Sequence, residues 1–170
     1  MGSRVNYEFN YINFLAPGLI IMTMMQNAFA NTSSSILGSK MQGNIVDLLM
    51  PPLNSNEIIF SYVSAAIIRS IMVGLITWLF IYPFSELYLF SLSILFTYTI
   101  LGSILLALLG LIAGIWAEKF DNMSGITNFI ITPLTFLSGT FYTIDRLPEP
   151  FFTISLFNPF YYIIDGFRSS

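Results

Sequence analysis

The sequence predicts an all-α membrane protein, a polytopic helical bundle, and three observations carry that prediction. Four apolar stretches, each about long enough to cross a bilayer, lie in series along the 170 residues. Only 9% of residues are charged while 55% are hydrophobic; a soluble domain carries roughly 25% charged residues, so this chain cannot dress its surface for water. Small residues recur at helical spacing inside the stretches, which lets helix backbones approach closely in lipid.

The first stretch, residues 14–37, is uncharged. Gln26, Asn27, Asn31 and Ser33 to Ser35 make one side of it polar, so that side is expected to face protein or a water-filled path. A cleavable signal sequence is weighed here, because Arg4 precedes the run and Ala28-Phe29-Ala30 has the small-x-small form. Glu8, the Pro17-Gly18 opening and the three later stretches argue for a span instead.

Residues 38–57 are polar. Met41, Ile45, Leu48 and Leu49 recur at i, i+4, i+7 and i+8, which predicts a short amphipathic helix stopped by Pro51-Pro52. From spacing alone, it either lies among the headgroups or docks on a soluble partner.

The second stretch, 58–82, holds one charge, Arg69, 11 residues in and so about 16 Å deep at 1.5 Å per residue. A guanidinium near the midplane costs several kcal/mol unless it is paired or hydrated. Gln26 and Asn27 of the preceding antiparallel span are its expected acceptors. Two roles stay open for Arg69: a path or gate residue, or a strut between helices or subunits. Ala66, Ser70 and Gly74 form a small-residue stripe on the same stretch.

Residues 83–86 form a turn, and 89–113 is the third stretch, again uncharged. Ser103, Ala107, Gly110 and Gly114 line one of its faces, a packing signal with no chemistry of its own. The charge cluster EKFDN at 118–122 is expected as a loop. The fourth stretch, 126–142, is expected to kink at Pro133, whose amide is missing. Residues 143–168 are rich in aromatics and proline, which predicts an external re-entrant helical pair. Its second helix restarts after Asn158-Pro159 and would carry Asp165 and Arg168 as first-turn charges.

Composition also excludes functions. A net charge of −3 provides no basic surface for nucleic acid. With no Cys and no His, there is no disulfide framework, no Cys/His zinc site and no histidine-based triad. The chain lacks G-x-x-x-x-G-K-[ST], so it is not itself an ATPase of that class. The carboxylate pairs Glu118/Asp121 and Asp145/Glu149 sit outside the stretches and read as membrane-edge charges. No catalytic, cofactor or metal residues are therefore assigned. A secondary transporter or channel is the alternative to an ATP-driven one, but ion coupling usually uses intramembrane carboxylates, and the four stretches have none. Orientation is undecided by charge: Arg4, Arg146 and Arg168 share one side, and Lys40 and Lys119 the other.

The runs YINFLAPGLI (11–20), GNIVDLLMPPL (43–53), FLSGTFYTIDRLPEP (136–150) and NPFYYIIDGFR (158–168), taken together and in order, resemble ABC-2 type transporter permeases of the bacterial inner membrane. The resemblance covers almost the whole chain as a single transmembrane domain, 1–170. It implies the membrane subunit of an ABC exporter for an amphiphilic substrate: a drug, a lipid or a lipid-linked glycan. The implied partners are a second, identical or similar permease, membrane lipid, and a separate ATP-binding subunit that holds the ATP and Mg. The family has six spans; this sequence is similar to spans two to five plus the external pair, with MGSRV (1–5) like the loop after span one, which implies a fragment. The resemblance places 38–57 in the cytoplasm and 143–168 outside. Lys40, Met41, Gln42, Gly43, Ile45, Asp47, Leu48 and Leu49 then correspond to the segment that couples to the ATPase. Asp47 keeps the family's acid, and Gln42 stands where a base is common.

Overall fold

The structure, a computed structural model, describes residues 2–84, 92–138 and 157–168, with side chains for 15–47, 50–83, 93–138 and 157–168. Every described element is helical: α1 (Gly2–Met41), α2 (Ile45–Leu49), α3 (Ser55–Ile81) followed by a 3-10 turn at Tyr82–Phe84, α4 (Leu92–Trp116), α5 (Phe120–Ile126), a π-helical turn (Thr127–Ile131), α6 (Thr132–Phe136) and α7 (Pro159–Arg168).

Helix α1 is the axis of the bundle. From Ile20 onward its buried residues come in pairs one turn apart: Ile20 and Ile21, Met24 and Met25, Ala28 and Phe29, Thr32 and Ser33, Ile36 and Leu37. That is a continuous i, i+4 stripe, and α3, α4 and α7 pack around the helix. Helix α3 runs antiparallel to α1, with Gly74 over Met24 and Arg69 beside Asn31. Helix α4 runs parallel to α1, with Gly102 near Met25, Gly110 near Phe29 and Gly114 near Ser33. Helix α7 lies antiparallel to α4, placing Ile163 at Gly102 and Gly166 against the Tyr98 ring.

Helices α3 and α4 are long and apolar enough to cross a membrane. The outer face of α3 is a continuous band that includes Phe60, Ile68, Met72, Leu75, Leu79 and Phe80, the last 73% exposed. An apolar band of that extent has no place on a soluble monomer's surface and is suited to hydrocarbon.

Several boundaries differ from those the sequence predicts. Residues 2–5, expected as loop, are helical, because no proline precedes Pro17 and α1 runs unbroken. The amphipathic helix expected from Met41 is only Ile45–Leu49; Met41 ends α1, and Gly43, at φ +77°, turns the chain between them. The loop at 118–122 is shorter than expected, since Phe120 already starts α5. The irregularity expected at Pro133 is a π turn just before it. Thr132 Oγ1 donates to the Thr127 carbonyl at 2.9 Å, an i−5 contact in keeping with the wider turn. Of the predicted external pair, 143–156 lies outside the described residues; so do 139–142 and 85–91.

Candidate functional site

The polar segment after α1 begins with an unexpected fixture. The Lys40 ammonium donates to the carbonyls of Ile115 at 2.7 Å and Ala117 at 2.6 Å, with Gly114 at 3.4 Å. These are the orphan acceptors at the C-terminal end of α4, where a helix also concentrates negative partial charge. Lys40, expected as part of a partner-facing segment, is therefore engaged inside the subunit. It ties the end of α1 to the end of α4.

Beyond it, the segment is open. Met41, Gln42, Gly43 and Asp47 are exposed, and Ile45 is half-buried. Val46 is 57% exposed and Met50 75%. The side chains of Leu48 and Leu49 lie outside the described residues. The Gln42 side chain accepts from nearby Asn44, whose Nδ2 donates to Gln42 Oε1 at 3.3 Å. The segment closes where the Asn54 amide donates to the Glu57 carboxylate at 2.9 Å, which caps α3. An open loop carrying apolar side chains thus hangs from the ends of α1 and α3.

In mid-bundle, Arg69 lies within one residue of the centre of α3. Its Nη1 donates to Asn31 Oδ1 at 2.8 Å, while the rest of the side chain is exposed. The acceptors expected for it, Gln26 and Asn27, are not the ones used. Matching the midpoints of the predicted stretches sets residue 26 opposite Arg69. The register the helices adopt, with Asn31 at Arg69 and Met24 at Gly74, slides α1 by about a turn relative to that match. Asn27 keeps a buried Oδ1 with no hydrogen-bond partner, one turn from Asn31 on the same face.

The small-residue stripe of α4 divides between two neighbours. Ser103 faces α3, where its hydroxyl shares a buried 2.7 Å hydrogen bond with Ser70. Ala107, Gly110 and Gly114 face α1. A Cβ on Gly110 would stand 2.6 Å from the Phe29 carbonyl oxygen, and one on Gly114 2.9 Å from that of Ser33. The Thr32 hydroxyl lies 3.0 Å from the Ala107 carbonyl and within reach of those of Ala28 and Phe29. The polar residues of α1 thus separate: Thr32 and Ser33 are buried against α4, while Asn31 turns toward α3.

Sequence reasoning placed Asn158 before a helix start but missed its tie to α6. Its Nδ2 donates to the Leu134 carbonyl at 2.6 Å near the end of α6, and its Oδ1 accepts the Phe160 amide at 3.1 Å at the start of α7. One buried side chain caps two helices. The available signal was Asn immediately before Pro at a helix start. Helix α7 starts at Pro159 as expected, but Arg168 falls in its last turn, not its first. There, outside both candidate spans, burial lowers the pKa of Arg168 below the ordinary arginine value, opposed by the charges of Asp165 and Tyr161.

These features match a known family. Residues 2–170 fit the model of the ABC-2 type transporter. The chain belongs to that family. This ABC-2 chain is 38% identical to the inner membrane transport permease YadH of Escherichia coli (strain K12), across 99% of its own length and 66% of the permease's. It is 28% identical to nodulation protein J of Rhizobium leguminosarum bv. viciae, across 94% of the chain and 62% of that protein. It therefore spans just under two thirds of the curated relatives it matches. No solved structure matches it. Membership, together with the apolar exterior of α3 and α4, makes the chain an all-α, multi-pass membrane protein.

Proposed function

We propose that the chain is the membrane-spanning permease of an ATP-binding-cassette exporter of the inner membrane, driven by a separate ATPase subunit. Two such permeases pair and form the path for an amphiphilic substrate: a drug, a lipid or a lipid-linked glycan. Family membership over 2–170 supports the transporter class, and the permease name of the E. coli relative supports the location. The observation that carries the ATPase coupling is the open loop between α1 and α3. It presents Val46 and Met50 to the outside at the end of the bundle where α4 also terminates.

Mechanically, Lys40 joins that loop to α4. A push on α2 from a closing ATPase dimer is carried into α1 directly and into α4 through the ammonium–carbonyl contacts. The glycine contacts between α1 and α4 make the two helices move as one body. The hydroxyl pair Ser70–Ser103 is the corresponding tie between α3 and α4.

The test is co-purification of the full-length permease with its ATPase. Substituting both Val46 and Met50 by Asp is expected to weaken the association by roughly tenfold or more, as loss of a buried apolar anchor does. Retention of the complex at wild-type strength would remove α2 from the interface.

A further inference from the structure

We propose that Arg69 and Asn31 form a binding station for the acidic headgroup, phosphate or carboxylate, of an amphiphile at mid-depth in the bundle. The inference rests on the reading of the chain as a transport permease and names a chemical class for what it meets.

A guanidinium carries five N–H donors. Arg69 uses one of them, toward a neutral amide oxygen, and the rest of the group lies on the exposed face of α3 beside Ile68 and Met72. Neutral acceptance leaves the positive charge uncompensated at the depth where that is most costly. Among the described residues, no carboxylate bonds to Arg69. The nine acids are Glu8, Asp47, Glu57, Glu86, Glu118, Asp121, Asp145, Glu149 and Asp165. The acid closest to Arg69 along its own helix, Glu57, is about 18 Å away at 1.5 Å per residue and already caps α3.

The neighbourhood is otherwise built for a polar visitor. Asn27 holds a buried, unpartnered amide oxygen one turn along the face that carries Asn31. A headgroup with both an anionic oxygen and a hydroxyl would satisfy Arg69 and Asn27 together, while its tail lies along the apolar band of α3. Charge-assisted, bidentate contact to arginine is the strongest interaction available to such a group.

The experiment uses the full-length protein in detergent micelles, with dodecyl phosphate as probe and dodecyl maltoside as the neutral control. Wild type is expected to bind the phosphate at least about tenfold more tightly than the control, as expected of a charge-assisted pair. Arg69→Gln loses that preference and Arg69→Lys retains part of it. Because Arg69→Gln could also disturb folding, Asn31→Asp is the second variant. It supplies the missing carboxylate from within, raises the thermal midpoint, and abolishes phosphate binding. Competition by phosphatidylglycerol vesicles at equal potency identifies a resident lipid as the occupant; failure to compete identifies a single-chain cargo; both support the station. Equal binding of phosphate and maltoside by wild type overturns it, and so does unchanged phosphate binding in Asn31→Asp. Neither result touches the ATPase co-purification, so failure here and failure of the permease reading are separable.

Discussion

Lys40 shows how one side chain can change the meaning of its surroundings. Its three donors meet the carbonyls that end α4, and loss of the ammonium leaves those acceptors without their partner. Lys40→Met keeps the apolar stem and is expected to destabilise the bundle by about 1–2 kcal/mol, read as a lower thermal midpoint in detergent. If the midpoint is unchanged, the contact is dispensable. The glycines allow a paired comparison. Gly110→Ala drives a methyl group onto the Phe29 carbonyl and the Thr32 hydroxyl, and is expected to cost about 1–3 kcal/mol. Gly125→Ala meets nothing within 4 Å and sits in helix, so it should be neutral or stabilising by up to about 1 kcal/mol. Equal effects of the two would show that close approach of α1 and α4 is not what Gly110 supplies.

At the scale of elements, the segment from α5 through the π turn to α6 reaches the core through Met123 and Ile131, while Phe129 on its outer side is 84% exposed. Its firmest described tie is Asn158, which reaches from the start of α7 to the Leu134 carbonyl. Asn158→Ala is expected to remove two caps at once, costing about 1–2 kcal/mol. Amide exchange should then rise at Phe160 and around the end of α6 while α1 stays protected; uniform exchange along the chain would contradict this. Within the same segment, Pro133 has no amide to return to the carbonyl of Phe129, and the chain widens into a π turn just before it.

For the whole molecule, the arrangement is a central α1 with α3, α4 and α7 laid around it. The contacts that bind α1 to α4 are backbone approaches and carbonyl acceptors, which hold in lipid, where apolar burial gives no net drive between helices. The apolar band of α3 faces outward. Removing the hydrocarbon surroundings is therefore expected to aggregate the protein: transfer from detergent to plain buffer should shift it to the void volume in size-exclusion chromatography. A monodisperse peak in buffer would overturn the membrane assignment.

Hydropathy, helical spacing and helix stops are properties of one segment at a time, and they were legible in the sequence. The apolar stretches that became α3 and α4, the small-residue stripe of α4, the stop at Pro51-Pro52 and the restart at Pro159 all follow from residues within a turn or two of one another. What the tertiary structure alone decided is register. Asn31 rather than Asn27 answers Arg69, Lys40 serves α4 rather than facing out, and the most polar of the long helices became the most enclosed. Each of these depends on where two distant helices end and how far one slides along the other. A slide of one turn, about 5.4 Å, exchanges every partner across the seam while leaving the pattern within each helix untouched.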